Sequence, residues 1–198
     1  ERETFETKIK IRINLDGSGQ SKINTPVGFL NHMLTLFAKH ALFDLEVNAS
    51  GDINVDEHHL IEDIGIVLGQ AVNKAAGDKK GICRYGTMIL PMDEVLALVS
   101  LDLAGRYAFV FDAGFSKEKV GDFPTEMLYD FFDAFSQNAK MNLHIRLLSA
   151  GRNDHHRIEG IFKAFARAMS AAVMIDSRIK NEVPSTKVRE SIILDFPD

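Results

Sequence analysis

Apolar and polar residues alternate from Phe5 to Leu15, and Asp16-Gly17-Ser18-Gly19 follows as a turn, so the chain is expected to open with a hairpin. Apolar positions then take helical spacing between Phe29 and Phe43 (Leu30, Met33, Leu34, Phe37, Leu42), ahead of a short strand at Phe43-Asp44-Leu45-Glu46-Val47. Gly51-Asp52-Ile53-Asn54-Val55 reads as a further strand or a turn. Between Glu57 and Ala76 the positions Ile61, Ile64, Val67, Leu68, Ala71, Val72 and Ala75 predict an amphipathic helix closed by Gly77.

The second half repeats the plan after a division near residues 80–100. Strands are expected from Arg84 to Leu90 and from Val95 to Leu103, on either side of a Pro91-Met92-Asp93-Glu94 turn. A helix is expected from Glu126 to Phe135, a strand from Met141 to Leu148, and a loop at Gly151-Arg152-Asn153-Asp154. From His156 to Val173 a second long amphipathic helix places Ile158, Phe162, Phe165, Ala166, Met169 and Val173 on one side. Strand, helix, strand and histidine-led helix occur twice. The expected fold is α+β: an internally duplicated unit, built as a two-layer helix-on-sheet sandwich, forming one domain from repeats of about 1–82 and 83–180 with a polar tail over 181–198.

Each repeat carries one copy of a short word. His58-His59-Leu60-Ile61-Glu62 and His155-His156-Arg157-Ile158-Glu159 lie 97 positions apart and hold four of the seven histidines. Positions i and i+4 share a helix face, so His58 stands over Glu62 and His155 over Glu159. The middle histidine of each word points about 100° away and cannot easily join the same ion. The economical solution is an exchange, each metal taking an i, i+4 pair from one copy and the middle histidine from the other. Imidazole with carboxylate suits Mn, Fe, Co or Zn. A lone His-His pair is more often a surface feature of a helix start, but two repeat-related copies reverse those odds. The zinc-protease word His-Glu-x-x-His is absent.

Composition narrows the classes. The net charge is −5, which argues against a nucleic-acid partner. The single cysteine, Cys83, can form no internal disulfide, so a cytoplasmic location is expected. No membrane-spanning apolar stretch and no charged-then-apolar leader is evident, so no membrane partner is expected.

Further words place the chain beside a known family. Glu6-Thr7, Gly28-Phe29-Leu30-Asn31-His32-Met33-Leu34, Asp56-Glu57-His58-His59 through Glu62-Asp63, Arg84-Tyr85-Gly86 and Pro91-Met92-Asp93-Glu94 come first. Gly105-Arg106, Asn153-Asp154-His155-His156, Glu159 with Phe162-Lys163-Ala164, and Pro184-Ser185-Thr186-Lys187 complete the series. In this order the chain resembles imidazoleglycerol-phosphate dehydratase, a lyase family of histidine biosynthesis.

The resemblance implies a hydro-lyase that converts D-erythro-imidazole glycerol phosphate to imidazole acetol phosphate with two Mn ions per chain. One ion would take His32, His59, His155 and Glu159; the other His58, Glu62, His156 and a fourth ligand from the second half. Repeat symmetry points that fourth ligand to Asp130, where some relatives carry histidine, with His144 as the alternative. Glu6 is the implied acid/base and substrate contact, acting with the catalytic ligand pairs His58, Glu62, His155 and Glu159. Arg84, Arg106, Lys163, Ser185, Thr186 and Lys187 are the implied substrate-binding positions, most of them for its phosphate. The tail over 181–198 would cover the substrate, and trimers would associate into a 24-subunit homo-oligomer with metal sites between subunits. Three positions depart from the family pattern: Asn31 stands where aspartate is common, Leu60 where threonine is, and Val188 where glycine is.

Two other classes compete. A metal-storage protein would keep the histidines but has no reason to keep Arg84, Arg106, Lys163 and Lys187 together. The duplicated unit also resembles a fold found in ribosomal proteins, but an RNA-binding role needs a basic face.

Overall fold

A computed structural model describes residues 1–179 and 182–183. The alternation at the start of the chain becomes strand β2 (Thr7–Asn14), with Thr7, Ile9 and Ile11 buried and Lys8, Lys10 and Arg12 exposed. A two-residue strand, β1 (Arg2–Glu3), runs antiparallel beside it. The expected hairpin does not form. Strand β3 (Ser21–Asn24) pairs in parallel with β4 (Asp44–Gly51), and β4 lies between β3 and β2. The long alternating β4 matches β2 antiparallel along its whole length, from Thr7 opposite Gly51 to Asn14 opposite Asp44, which a four-residue partner cannot do. The Asp44 carboxylate also draws the Asp16–Gly19 turn toward β4, accepting the Ser18 amide at 2.9 Å and the Gln20 amide at 3.0 Å.

The helices follow the apolar spacing closely. They are α1 (Gly28–Ala41) and α2 (His58–Ala75) in the first half, separated by β4 and the 53–55 turn. The second half contains β5 (Tyr85–Met92), β6 (Val95–Asp102) and β7 (Ala108–Asp112), then a small hairpin of β8 (Lys119–Val120) and β9 (Phe123–Pro124). It continues with α3 (Met127–Ala139), β10 (Asn142–Ser149) and α4 (Asp154–Val173). Strands β7, β8 and β9 carry no clean period-two pattern, which is why the sequence does not announce them. The sheet orders β1-β2-β4-β3 and β5-β6-β10-β7 are identical in topology, with the same parallel and antiparallel pairings.

Each sheet carries its helices on one face, and the two halves meet through those helices. Phe37 of α1 stacks on Phe165 of α4, and Phe131, Phe132 and Phe135 of α3 surround Phe162 and Phe165. Helices α2 and α3 approach so closely that a Cβ on Gly65 would lie 2.6 Å from the Phe131 carbonyl oxygen, so glycine is required there. The helix that starts with the second histidine word is therefore held in an aromatic core, and the helix of the first packs against that core through α3.

Candidate metal centre

Both words begin in the same local frame. Asp56 accepts the His58 amide at 2.9 Å, and Asn153, at the repeat-equivalent position, accepts the His155 amide at 3.0 Å. Side-chain oxygens that cap helix amides fix the first turn and, with it, the direction of the histidines. Residues 113–126 then tie three helix starts together. Asp122 accepts the amides of Gly28 and Phe29 on α1, Lys119 pairs with Glu57 at 3.0 Å, and the amides of Ser116 and Lys117 bond to buried Asp154.

On α4 the i, i+4 geometry forms as the spacing predicts: His155 Nε2 lies 3.1 Å from Glu159 Oε2. His32, from α1, brings its Nε2 to 3.5 Å from the same oxygen. These three residues present ligand atoms within 4.8 Å of one another. The Phe29 ring meets His155 edge-on at 5.1 Å and walls one side. Glu159 is 7% exposed, and Lys163 Nζ bonds its other oxygen at 2.6 Å. Burial pushes the Glu159 carboxyl up, but the Lys163 bond and charge, the His155 bond and the His32 charge outweigh it and hold the pKa below the usual glutamate range. The carboxylate is thus ionised and ready to ligate.

The remaining candidates occupy separate places within the protomer. His58 Nε2 stands 3.7 Å from Glu62, with no third ligand among the described residues. His59 turns away from that pair, its Nδ1 3.2 Å from Asp52 and 3.8 Å from Glu6, which lies in the bend before β2. The Asp52 hydrogen bond, reinforced by the charges of Glu6, Asp52 and Asp56, raises the His59 pKa against desolvation. His156 bonds Glu94 through Nδ1 at 2.9 Å and faces Asp93 at 3.6 Å, a second metal-sized group. The His156 bond is the main reason the Glu94 carboxyl falls to about 2.

Asp130 sits half-buried in the first turn of α3, and His144 is exposed on β10, on the face opposite buried Leu143 and Ile145. Neither joins a metal-sized group among the described residues. Asn31 bonds Thr25 three times, steadying the 25–27 link into the helix of His32. Leu60 is core.

Of the phosphate candidates, Lys163 belongs to the Glu159 group. Arg84 lies at the far end of α4, forked onto Asp102 with Nε at 2.6 Å and Nη2 at 3.0 Å, and exposed Arg106 is at the same end of the sheet. Ser185, Thr186 and Lys187, with most of the 181–198 tail, lie outside the described residues.

Asp52, Asp93 and Glu94 were not foreseen as partners of the histidines. Asp52 precedes His59 by a turn, a weak local signal, whereas Glu94 is 62 positions from His156 and only the fold joins them. Among the described residues, no helix is long and apolar enough to cross a membrane.

Residues 25–169 match the imidazoleglycerol-phosphate dehydratase family. The chain is 54% identical over 187 residues to imidazoleglycerol-phosphate dehydratase of Clostridium botulinum, covering 94% of each, and 55% identical over 186 residues to that of Acetivibrio thermocellus. The crystal structure of imidazoleglycerol-phosphate dehydratase from Staphylococcus aureus superposes with a TM-score of 0.79 at 50% identity, covering 85% of this chain and 95% of that one. The Pyrococcus furiosus counterpart gives the same TM-score at 33% identity, covering 93% and 97%. By its duplicated fold and by 54% identity over 94% of its length, the chain belongs to the imidazoleglycerol-phosphate dehydratase family, hydro-lyases of histidine biosynthesis.

Proposed function

We propose that this protein removes water from D-erythro-imidazole glycerol phosphate to give imidazole acetol phosphate, using two manganese-type ions held by residues of more than one protomer. The observation that carries this reading is the convergence of His32, His155 and Glu159 on one point. The donor set fits: two imidazole nitrogens and a carboxylate oxygen are ligands that Mn, Fe, Co and Zn accept. His58 and Glu62 offer only half a set, while His59 and His156 each have Nδ1 held by a carboxylate, the usual way a ligating histidine is oriented. Exchange between copies of the chain would complete both sets, with Asp130 or His144 as the remaining ligand of the second.

When bound, the ions would supply Lewis acidity toward the imidazole ring, which would help it act as an electron sink while a weakly acidic proton and the hydroxyl are lost as water. The chain's own groups do the rest. Exposed Glu6, beside His59, is the proposed proton carrier, and Lys163 keeps Glu159 anionic. Arg84, Arg106, Lys163, Ser185, Thr186 and Lys187 are the proposed contacts to substrate.

Arg84 donates its amide to Ala172, whereas His155 starts the same helix; residue 172 against residue 155 is about 25 Å of helix. A three-carbon phosphate ester does not span that gap, so Arg84 serves ions held by another copy. This favours the trimers and 24-subunit shell that the family resemblance implies, and the free Cys83 suits a cytoplasmic setting.

The test strips the protein of metal, restores Mn, and measures bound metal alongside dehydration of the substrate. The expected result is about two ions per chain with turnover returning in step. Full dehydratase activity at zero bound metal would sink the reading.

A further inference from the structure

Asp63 directly follows the glutamate of the first histidine word, and its carboxylate is buried between α2 and β2. Its Oδ2 accepts the hydroxyl of buried Thr7, and its Oδ1 accepts Nε of Arg2 at 2.8 Å. The Thr7 proton is thus committed to Asp63, so Thr7 Oγ1 accepts from Thr4 Oγ1, 3.3 Å away. Thr4 Oγ1 in turn accepts the amides of Glu6 at 3.1 Å and of Thr7 at 2.9 Å. The Glu6 carbonyl accepts the Asp52 amide at 3.1 Å, and the Asp52 carboxylate holds His59 Nδ1. The bend that carries Glu6 is therefore bonded on both sides, and both of its threonine hydroxyls point toward one buried carboxylate.

The second half of the chain makes the same contact without a carboxylate. Thr7 opens β2 as Val95 opens β6, and Asp63 corresponds to Gly160, one residue past the second word. A Cβ on Gly160 would meet Val95 Cγ1 at 3.6 Å, so the equivalent contact is apolar and the fold does not require Asp63 there. Glu6 corresponds to Glu94, the residue before each strand. Glu94 is bonded to His156 Nδ1 at 2.9 Å, whereas Glu6 stands 3.8 Å from His59 Nδ1 and Asp52 takes that nitrogen. Of two equivalent glutamates, the one over an apolar contact closes onto its histidine, and the one over Asp63 is held off.

We propose that Asp63 is a positioning residue for the dehydration: through Thr7 and Thr4 it fixes the bend of Glu6, so that the Glu6 carboxylate stays available to substrate instead of closing onto His59. This rests on the reading above that Glu6 carries the proton.

Steady-state kinetics on the full, Mn-loaded protein tests it, with bound metal measured beside each rate. Thr7→Val keeps the side-chain shape and removes the hydroxyl, Thr7→Ser keeps the hydroxyl, and Asp63→Asn removes the charge. Thr7→Val and Asp63→Asn should each lower kcat roughly tenfold or more, with KM and metal content near those of the wild type, because a misplaced reacting group costs rate before binding. Thr7→Ser should recover most of the rate. In a Glu6→Gln background the same two substitutions should change kcat little, because the group they position is gone. Loss by the same factor in both backgrounds, or loss that follows metal content or melting temperature alone, would overturn the positioning and leave Glu6 as the carrier. Full turnover in Glu6→Gln would refute the carrier, and the positioning with it.

Discussion

Asp122 caps Phe29: its Oδ1 accepts the Phe29 amide at 2.9 Å, while Oδ2 takes the amide of Gly28, from more than ninety residues away. The helix it closes has no cap from its own flanking residue Val27, and that helix carries His32. The second half of the chain therefore sets the direction of a candidate ligand in the first. Asp122→Ala should lower stability by about 1 kcal/mol, the usual cost of a lost cap. It should also weaken metal binding through His32. Thermal unfolding with and without Mn separates the effects, and equal melting shifts in both conditions would show that the cap does not reach the ligand.

His59→Ala should reduce metal content and turnover together. Its imidazole is held by Asp52, and losing a metal-bound imidazole would weaken the ion's hold directly. Elemental analysis of the purified variant beside its dehydratase rate checks this. An intact variant with full metal occupancy and full turnover would remove His59 from the site.

Tyr107 should ionise late. Its hydroxyl donates to Asp133, and that bond, then burial and the Asp133 charge, raise the phenol to about 12. Because the folded value lies above the ordinary tyrosine value of about 10, the stabilisation is complete below pH 10 and fades as pH climbs through 12. Ultraviolet titration should show a step near 12 that disappears in Tyr107→Phe. Persistence of that step in the variant would assign it to another tyrosine.

If ions sit between copies of the chain, binding stabilises the assembled state by linkage. Chelation should then move the population toward smaller particles, trimers by the family resemblance, and Mn should restore the large form. Light scattering measures both directions, and particle size indifferent to chelator would separate metal from assembly.

How far the residues alone foretold this structure can be judged place by place. Helical spacing revealed α2 and α4 to within a residue or two, and i, i+4 logic anticipated that His155 and Glu159 would meet. Those are local relations within one regular element. The approach of His32 to Glu159 depends on how α1 packs against α4, through Phe37 and Phe165, and spacing along the chain carries no record of it. The hairpin expected after β2 failed for a similar reason: the better partner, β4, arrives only after β3 and α1. Glu94 and Asp52 stayed hidden because an acid in a turn looks the same whether or not a distant histidine needs it.

If copies of the chain assemble, the segment 113–126 bears on how they would recognise one another. The first half joins β3 to α1 through residues 25–27 only, while the second half places residues 113–126, with a small hairpin, at the equivalent point. Without that difference the two halves would present nearly interchangeable ends, and a neighbour could dock upside down with little penalty. The extra segment marks one end as unlike the other, turning a pseudo-symmetric body into a polar one. Discrimination of this sort comes from what the wrong orientation would clash with as much as from what the right one gains.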